Sequence, residues 1–221
     1  SNMIANQLQE HGYTARLHVI SNVISPQYVY GRSPQEDWMQ GKFNVLMVGR
    51  YAGEKRQDVL IDACAQCRHR EEIQVILAGK GPLERKYRRQ AEKLPNPIVM
   101  EFYEPARLLE ILHMADLYVH TSDAEIEAMS CMEAFACGLV PVIADSPRSA
   151  TPQFALDQRS IFPAGDAAAL AEKIDWWFEH PQEREEMGKR YAGHAKQYAL
   201  DRSIQQTEEM FRLAIQEQRG R

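Results

Sequence analysis

Leu117-Tyr-Val-His120-Thr121-Ser-Asp-Ala-Glu125-Ile-Glu-Ala-Met-Ser-Cys-Met-Glu133-Ala-Phe-Ala-Cys-Gly138-Leu-Val-Pro141-Val-Ile-Ala-Asp145 contains one complete unit of architecture. Leu117–His120 is a short apolar run of strand character, and a polar loop follows it. A helical pattern covers 128–137 and stops at Gly138, a residue suited to ending a helix. A second apolar run, Val140–Ala144, then begins. Strand, helix and strand of this length form a parallel βαβ crossover.

The same alternation extends outward from this unit. Apolar runs lie at Val45–Gly49, Ile73–Ala78, Ile98–Phe102 and, briefly, Ser160–Phe162. Amphipathic segments lie between them near 56–69, 82–93, 105–114 and 147–156. Continuous apolar strands separated by helices predict a parallel sheet covered on both faces, an α/β Rossmann-like doubly wound fold. Residues 3–12 read as a helix ending at Gly12, and 15–20 as a short strand. Residues 21–41 hold Pro26, Gly31 and Pro34 with no sustained period, the composition of a linker or loop. After Asp166, a residue suited to an N-cap, helices are expected at 167–179, at 181–198 opening on Pro181, and at about 202–218. The division expected is 1–41 as interdomain segment, 42–180 as the Rossmann-like domain and 181–221 as a C-terminal helical extension.

Composition removes several function classes. The chain has 221 residues, a net charge of -5 and 44% hydrophobic residues. This balance gives no basic field for nucleic acid. No apolar run reaches the ~18 residues that cross a bilayer. Ser1-Asn2 before Met3 reads as a cloning remnant. Cys64 and Cys67 form a lone C-x-x-C within a helical pattern, and no second pair completes a zinc site. They read as small buried helix residues, and free thiols of this kind fit a reducing cytoplasm. No metal is expected.

Ligands of doubly wound sheets bind beyond the carboxyl ends of the strands, and the candidate chemistry gathers at that edge. Gly49-Arg50-Tyr-Ala-Gly53-Glu-Lys55-Arg56 offers a guanidinium fork and an ammonium for a diphosphate, with Gly49 and Gly53 allowing tight turns. Cations at a helix start oppose its dipole, so Lys55 and Arg56 there call for a compensating anion. Gly79-Lys-Gly81-Pro82 is a strand-to-helix turn that lacks both the dinucleotide fingerprint and the P-loop ending. The basic segment 84–93 reads as a solvated face. Glu125 sits in the loop and Glu133 one turn into the following helix. The N–H groups of Met129, Ser130 and Cys131 at the helix start could face a phosphate. A carboxylate on each side of that seat could grip hydroxyls, a pattern that suits a nucleotide sugar. His120 ends its strand at the same edge and could donate to a sugar or phosphate oxygen. Glu127 is expected to point elsewhere.

Together these segments resemble the C-terminal, donor-binding domain of retaining glycosyltransferases of the GT-B fold, family 4. Val19-Ile-Ser-Asn22-Val-Ile-Ser is similar to the interdomain "vIPNGID" segment, with the asparagine kept. Val48-Gly-Arg50 through Lys55 to Ala63 is similar to "GRL…KG…LI.A". Ala78-Gly-Lys-Gly-Pro82 matches "GxGP". Glu125, Glu133 and Ala-Phe-Ala-Cys-Gly138 match E-x7-E and "LEAMACG.PVI". The resemblance covers about Val19 to Gln218.

It implies that Arg50 and Lys55 neutralise a nucleoside diphosphate leaving group, that Glu133 binds the ribose, and that Glu125 aligns the donor sugar. Phe102 and Tyr103 would lie beside the base. Gly49, Gly79, Gly81, His120, Met129, Ser130 and Cys131 would complete the donor site. The resemblance also implies a UDP-sugar donor without a metal, and a glycan or lipid acceptor bound by an N-terminal domain outside this chain. The location it implies is cytoplasmic, with room for peripheral contact at the inner face of the membrane. The family's "EGFGL" is replaced here by Glu125-Ile-Glu-Ala-Met, which resembles the branch that glucosylates diacylglycerol. The chain by itself is expected to bind a nucleoside diphosphate weakly and to transfer no sugar. A non-catalytic nucleotide-binding or interaction module of the same fold is the alternative. A dinucleotide dehydrogenase is disfavoured because the glycine fingerprint and its ribose acid are missing.

Overall fold

A computed structural model describes residues 1–219. Six strands form one parallel sheet: β1 (Phe43–Val48), β2 (Ile73–Ala78), β3 (Val99–Glu101), β4 (Leu117–His120), β6 (Pro141–Asp145) and β8 (Ile161–Pro163). Their spatial order is β3-β2-β1-β4-β6-β8. From β1 the chain winds outward to β3, then returns to lay β4 on the other side of β1. The strand order therefore reverses between β1 and β4, and a crevice opens there at the carboxyl edge.

Helices α2 (Gln57–Gln66), α3 (Glu84–Gln90), α4 (Pro105–Met114), α5 (Met129–Ala136) and α6 (Ala167–Glu179) cover the sheet. β2 is buried along its whole length, and β1 at every residue except Val48. That explains why the strands read as unbroken apolar runs. Asp166 caps α6 by accepting from the Ala169 N–H at 2.9 Å, the role its position predicts.

Segment 21–41 has no regular structure, as its composition predicts, yet it is packed. Ile24, Tyr28 and Met39 are buried. The Gln35 amide donates to the Met114 carbonyl and to Asp116, each at 3.1 Å. Asp116 in turn accepts from the Asn44 backbone N–H at 2.9 Å, so one carboxylate joins this segment to the starts of β1 and β4.

Two expected elements do not form. Residues 15–20 are not a strand; Leu17, His18, Val19 and Ile20 lie beside α8 (Leu200–Arg219). Residues 147–156 are not a helix. They form β7 (Arg148–Ser149) and a 3-10 turn over Thr151–Phe154. Ser149 there bonds to the Thr151 hydroxyl at 2.9 Å and to its N–H at 3.2 Å, competing with helical bonding. β7 pairs with β5 (Ala124–Glu125) in a two-stranded sheet too short to read from sequence.

The C-terminal helices follow prediction closely. α7 (Pro181–Ala195) packs on α5, and α8 presents Leu200, Ile204, Phe211 and Ile215 to solvent. No helix among the described residues is long and apolar enough to cross a membrane.

The α5–α7 contact is close at one point. A Cβ placed on Gly188 would lie 2.3 Å from the Gly138 carbonyl oxygen. Alanine at a helix interior normally gains about 1 kcal/mol over glycine. Here backbone must move, and overpacking costs about 1–3 kcal/mol or more. Gly188→Ala is therefore expected to lower stability by about 2 kcal/mol, read as a reduced urea midpoint with an unchanged slope. A raised midpoint would contradict this packing.

Candidate functional site

The site straddles the crevice between β1 and β4. On the β1 side, the segment after Val48 crosses the loop after β2. The Tyr51 N–H donates to the Lys80 carbonyl at 3.1 Å and the Leu83 N–H to the Tyr51 carbonyl at 3.2 Å. This crossing explains the two glycines of the 79–82 turn. A Cβ on Gly79 would sit 2.0 Å from the Gly49 oxygen, and one on Gly81 2.5 Å from the Tyr51 oxygen. Their absent side chains let two protein backbones meet. At Gly49 and Gly53 a Cβ would find room, with no contact closer than 3.8 Å, and neither has a positive φ. The tight turn expected of that pair does not require glycine.

The two loops enclose a cavity of about 460 Å³ lined by Gly49, Arg50, Gly79, Gly81, Phe102 and Tyr103, among others. Phe102 is 50% exposed, and the Lys80 ammonium lies 4.0 Å above its ring. Burial, with Glu101 nearby, pushes the Tyr103 phenol up to about 12, so it stays neutral. Arg50 is exposed, and among the described residues no carboxylate pairs with its guanidinium.

The β4 side carries the acid. Tyr118 and His120 alternate along β4 and so share one face, with ring centroids 6.2 Å apart. Tyr118 donates to the Ser130 hydroxyl at 3.0 Å, and Ser130 reaches the Val48 carbonyl at 3.3 Å. This relay pins the start of α5 to the end of β1. His120 Nδ1 lies 3.3 Å from the Tyr118 phenol oxygen. Its Nε2 lies 3.3 Å from Glu125 Oε1 without a well-directed hydrogen bond. Burial lowers the His120 pKa and keeps the ring neutral.

Glu125 therefore takes its positive partner from Lys55, whose ammonium bonds directly to Oε1. Burial pushes the Glu125 carboxyl up, but the His120 and Lys55 contacts outweigh it and hold it at about 2. Glu133 behaves oppositely. Burial raises its pKa, and the contact with Tyr28 offsets this only partly. The two glutamates thus differ in electrostatics despite sharing one motif.

Other expected residues fall as follows. At the start of α5 the Met129 N–H is taken by the Glu127 carbonyl at 3.1 Å, and the Cys131 N–H by the Ala128 carbonyl at 3.0 Å. Of the three N–H groups, that of Ser130 has no backbone partner among the described residues. Glu127 points away, accepting from the Asn22 N–H at 2.8 Å. All four cysteines are free and buried, and Cys67 donates weakly to the Ala171 carbonyl at 3.7 Å. No group of three His, Cys, Asp or Glu among the described residues is disposed to hold a metal.

Arg56 is expected from the sequence only as one of two cations at a helix start, and Asp123 is not singled out there. They pair at 3.1 Å, and Arg56 also meets Asp58 at 3.3 Å. The anion that the tandem cations called for is thus protein carboxylate: Glu125 for Lys55, Asp123 and Asp58 for Arg56. The one local signal was the cation pair at a helix start; Asp58 is close by, but Glu125 and Asp123 lie 70 and 67 residues from their partners.

Residues 32–193 match the model of the family described as "Glycosyl transferases group 1". EpsD of Bacillus subtilis (strain 168), provisionally named a glycosyltransferase, is 26% identical over 161 residues, which are 71% of this chain and 42% of that protein. The chain thus spans about two-fifths of that curated relative. Among solved structures, the catalytic domain of cholesterol-alpha-glucosyltransferase from Helicobacter pylori is 48% identical, with a TM-score of 0.69 over 71% of this chain and 99% of that one. Anabaena HepE in complex with UDP and glucose has a TM-score of 0.78 at 22% identity, over 93% of this chain and 60% of that one, and supports the fold.

Glu125 should titrate near 2 when followed by carboxyl carbon-13 NMR. In Lys55→Met the midpoint should rise, because burial then acts with less opposition. An unchanged midpoint would show that Lys55 does not hold this carboxylate. The sign for stability follows from a depressed pKa. The pair's contribution is present above the unfolded carboxyl value and is lost as pH falls toward about 2.

Proposed function

The chain belongs to the glycosyl transferases group 1 family, and from that premise we propose that it is the donor-binding half of a retaining hexosyltransferase. The donor is a nucleotide sugar, specifically a UDP-sugar, and the acceptor is a glycan or lipid. The observation that carries this reading is the unpaired Arg50 at the mouth of an aromatic-edged cavity, with Lys55 and Glu125 facing each other across the adjoining crevice. The UDP and glucose of the HepE complex and the glucosyl transfer named for the Helicobacter relative accord with it.

In this reading the base rests beside Phe102 and Tyr103, in the cavity closed by Gly49, Gly79 and Gly81. The ribose hydroxyls donate to Glu133. The diphosphate lies against Arg50, Lys55 and the Ser130 N–H. Negative charge grows on the leaving phosphate oxygen as the bond to the sugar breaks, and fixed cations stabilise that charge more than they stabilise the ground state. Glu125 accepts hydroxyls of the sugar and sets its anomeric carbon beside the phosphate. Its depressed pKa keeps it ionised, suited to accepting hydrogen bonds rather than to donating a proton. His120 supports Glu125 as a neutral neighbour, so the net charge at the sugar subsite comes from the Lys55–Glu125 couple.

Acceptor binding and turnover belong to the longer protein. A cytoplasmic location is part of the proposal. So is peripheral membrane contact through exposed Arg85, Lys86 and Arg89 of α3.

Calorimetry with UDP, GDP and ADP tests the donor site. UDP is expected to bind best. Arg50→Ala and Glu133→Ala should each weaken UDP by about tenfold or more, the loss of one charge-assisted bond. Absence of binding by all three nucleotides would overturn the reading. Donor hydrolysis or transfer by the full-length protein separates an enzyme from a non-catalytic module. Affinity should also fall as the solution is acidified, since burial raises the Glu133 pKa and brings its protonation on earlier than that of a free carboxylate. Glu133→Gln should flatten this dependence.

A further inference from the structure

Arg56 is the one side-chain-bearing residue with a positive φ among those described, at φ 53° and ψ 40°. Glycine adopts this left-handed conformation freely, and Asn or Asp tolerates it well, whereas a long side chain enters it at a cost. Backbone demands alone would not select arginine. What arginine adds is reach. Its Nη1 meets Asp123 at 3.1 Å across the crevice, while Nε and Nη2 meet Asp58 at 3.3 and 3.5 Å.

The place that is joined matters. β1 and β4 pair only through Val45↔Leu117 and Leu46↔Tyr118. The loops carrying Lys55 and Glu125 lie beyond this ladder, so the paired register alone does not fix one relative to the other. Three other links do so. The Thr121 hydroxyl donates to the Lys55 carbonyl at 2.8 Å, and the Asp123 N–H to the Glu54 carbonyl at 2.8 Å. The third link is Arg56–Asp123, the only one of the three made by two side chains. On its far side, the Asp123 carbonyl accepts from the Ser146 hydroxyl, and the Glu125 carbonyl from the Ala150 N–H at 2.9 Å. Both bonds anchor the acid loop to the segment after β6.

We propose that Arg56 is a positioning residue, which through Asp123 sets the Glu125 carboxylate opposite Lys55 so that the pair can order a donor sugar. The role in sugar ordering rests on the donor-site reading above; the clamp itself does not. Arg56 touches no ligand in this scheme. Its strained backbone is retained because its ion pair fixes the spacing of two loops that the strand ladder does not reach.

The test combines Arg56→Gly, Asp123→Asn and their double variant, with two readouts. The first needs no ligand. In wild type Glu125 is expected to titrate well below the usual carboxylate range; in each variant a loosened clamp should move this midpoint up toward that range. The second is the affinity for UDP-glucose relative to UDP, measured on the same chain. This ratio should fall about tenfold in Arg56→Gly, the loss of one charge-assisted contact, while UDP affinity itself holds. The double variant should be no worse than either single one, as expected of residues that act through each other. Arg56→Gly should keep its thermal midpoint close to wild type, because relief of the left-handed strain offsets the lost ion pair; Asp123→Asn supplies the same test without altering the backbone. An unchanged Glu125 midpoint in both single variants overturns the clamp. A moved midpoint with an unchanged UDP-glucose to UDP ratio confines the clamp to structure and overturns its role in sugar ordering. Failure of wild type to bind either nucleotide overturns the donor-site reading, while the Glu125 titration still decides the clamp.

Discussion

The short parallel ladder between β1 and β4 is the constraint on which the rest of the molecule turns. Two residue pairs register the strands, and the loops that follow lie beyond that ladder. β1 continues toward α2 and β4 toward α5, on different sides of a reversal in strand order. Backbone that leaves a sheet must find new partners for its N–H and C=O groups. Here it finds them across the crevice, in the crossing of the β1 and β2 loops and in the bonds joining 54–56 to 121–123. The opening that a ligand would use and the bonds that hold it open have the same origin.

Electrostatics at this crevice are largely settled before any ligand arrives. Lys55 and Glu125 neutralise each other, Arg56 is matched by Asp123 and Asp58, and burial keeps His120 neutral. A carboxylate half-removed from water is costly unless paired, and Lys55 supplies that pair. Arg50 differs, exposed and without an ion-pair partner among the described residues. A group whose charge is unspent and already solvated suits an incoming anion. A pair already joined suits the ordering of neutral hydroxyls, because its geometry needs little reorganisation.

The regular elements were legible for a plain reason. β2 and β4 begin and end at the residues their apolar runs predict, as α4 and α6 do at theirs, since burial on both faces gives strands no polar interruption. The reading failed where local pattern and local bonding disagree. Residues 147–156 have enough apolar spacing for a helix, but Ser149 and Thr151 satisfy each other in a turn and Pro152 starts a 3-10 segment. The sequence reads Gly79 and Gly81 as part of a strand-to-helix turn. Their closest neighbours are another loop's carbonyl groups, a fact set by residues 30 positions earlier in the chain.

Sequence by itself determined the parallel α/β architecture, the edge of the sheet where chemistry gathers, and the acid and cation types present there. Those follow from periodicity, from glycine and proline punctuation, and from a motif order that leaves few alternatives. Only the tertiary structure decided which charge meets which. Lys55 and Glu125 are 70 residues apart, as the crossover count requires, and their contact depends on β1 and β4 lying side by side. The left-handed turn of Arg56 is equally invisible in the chain, because nothing local asks for arginine there. Secondary structure is written in neighbours along the chain; the partnering of charges depends on topology, which brings distant loops within hydrogen-bond reach.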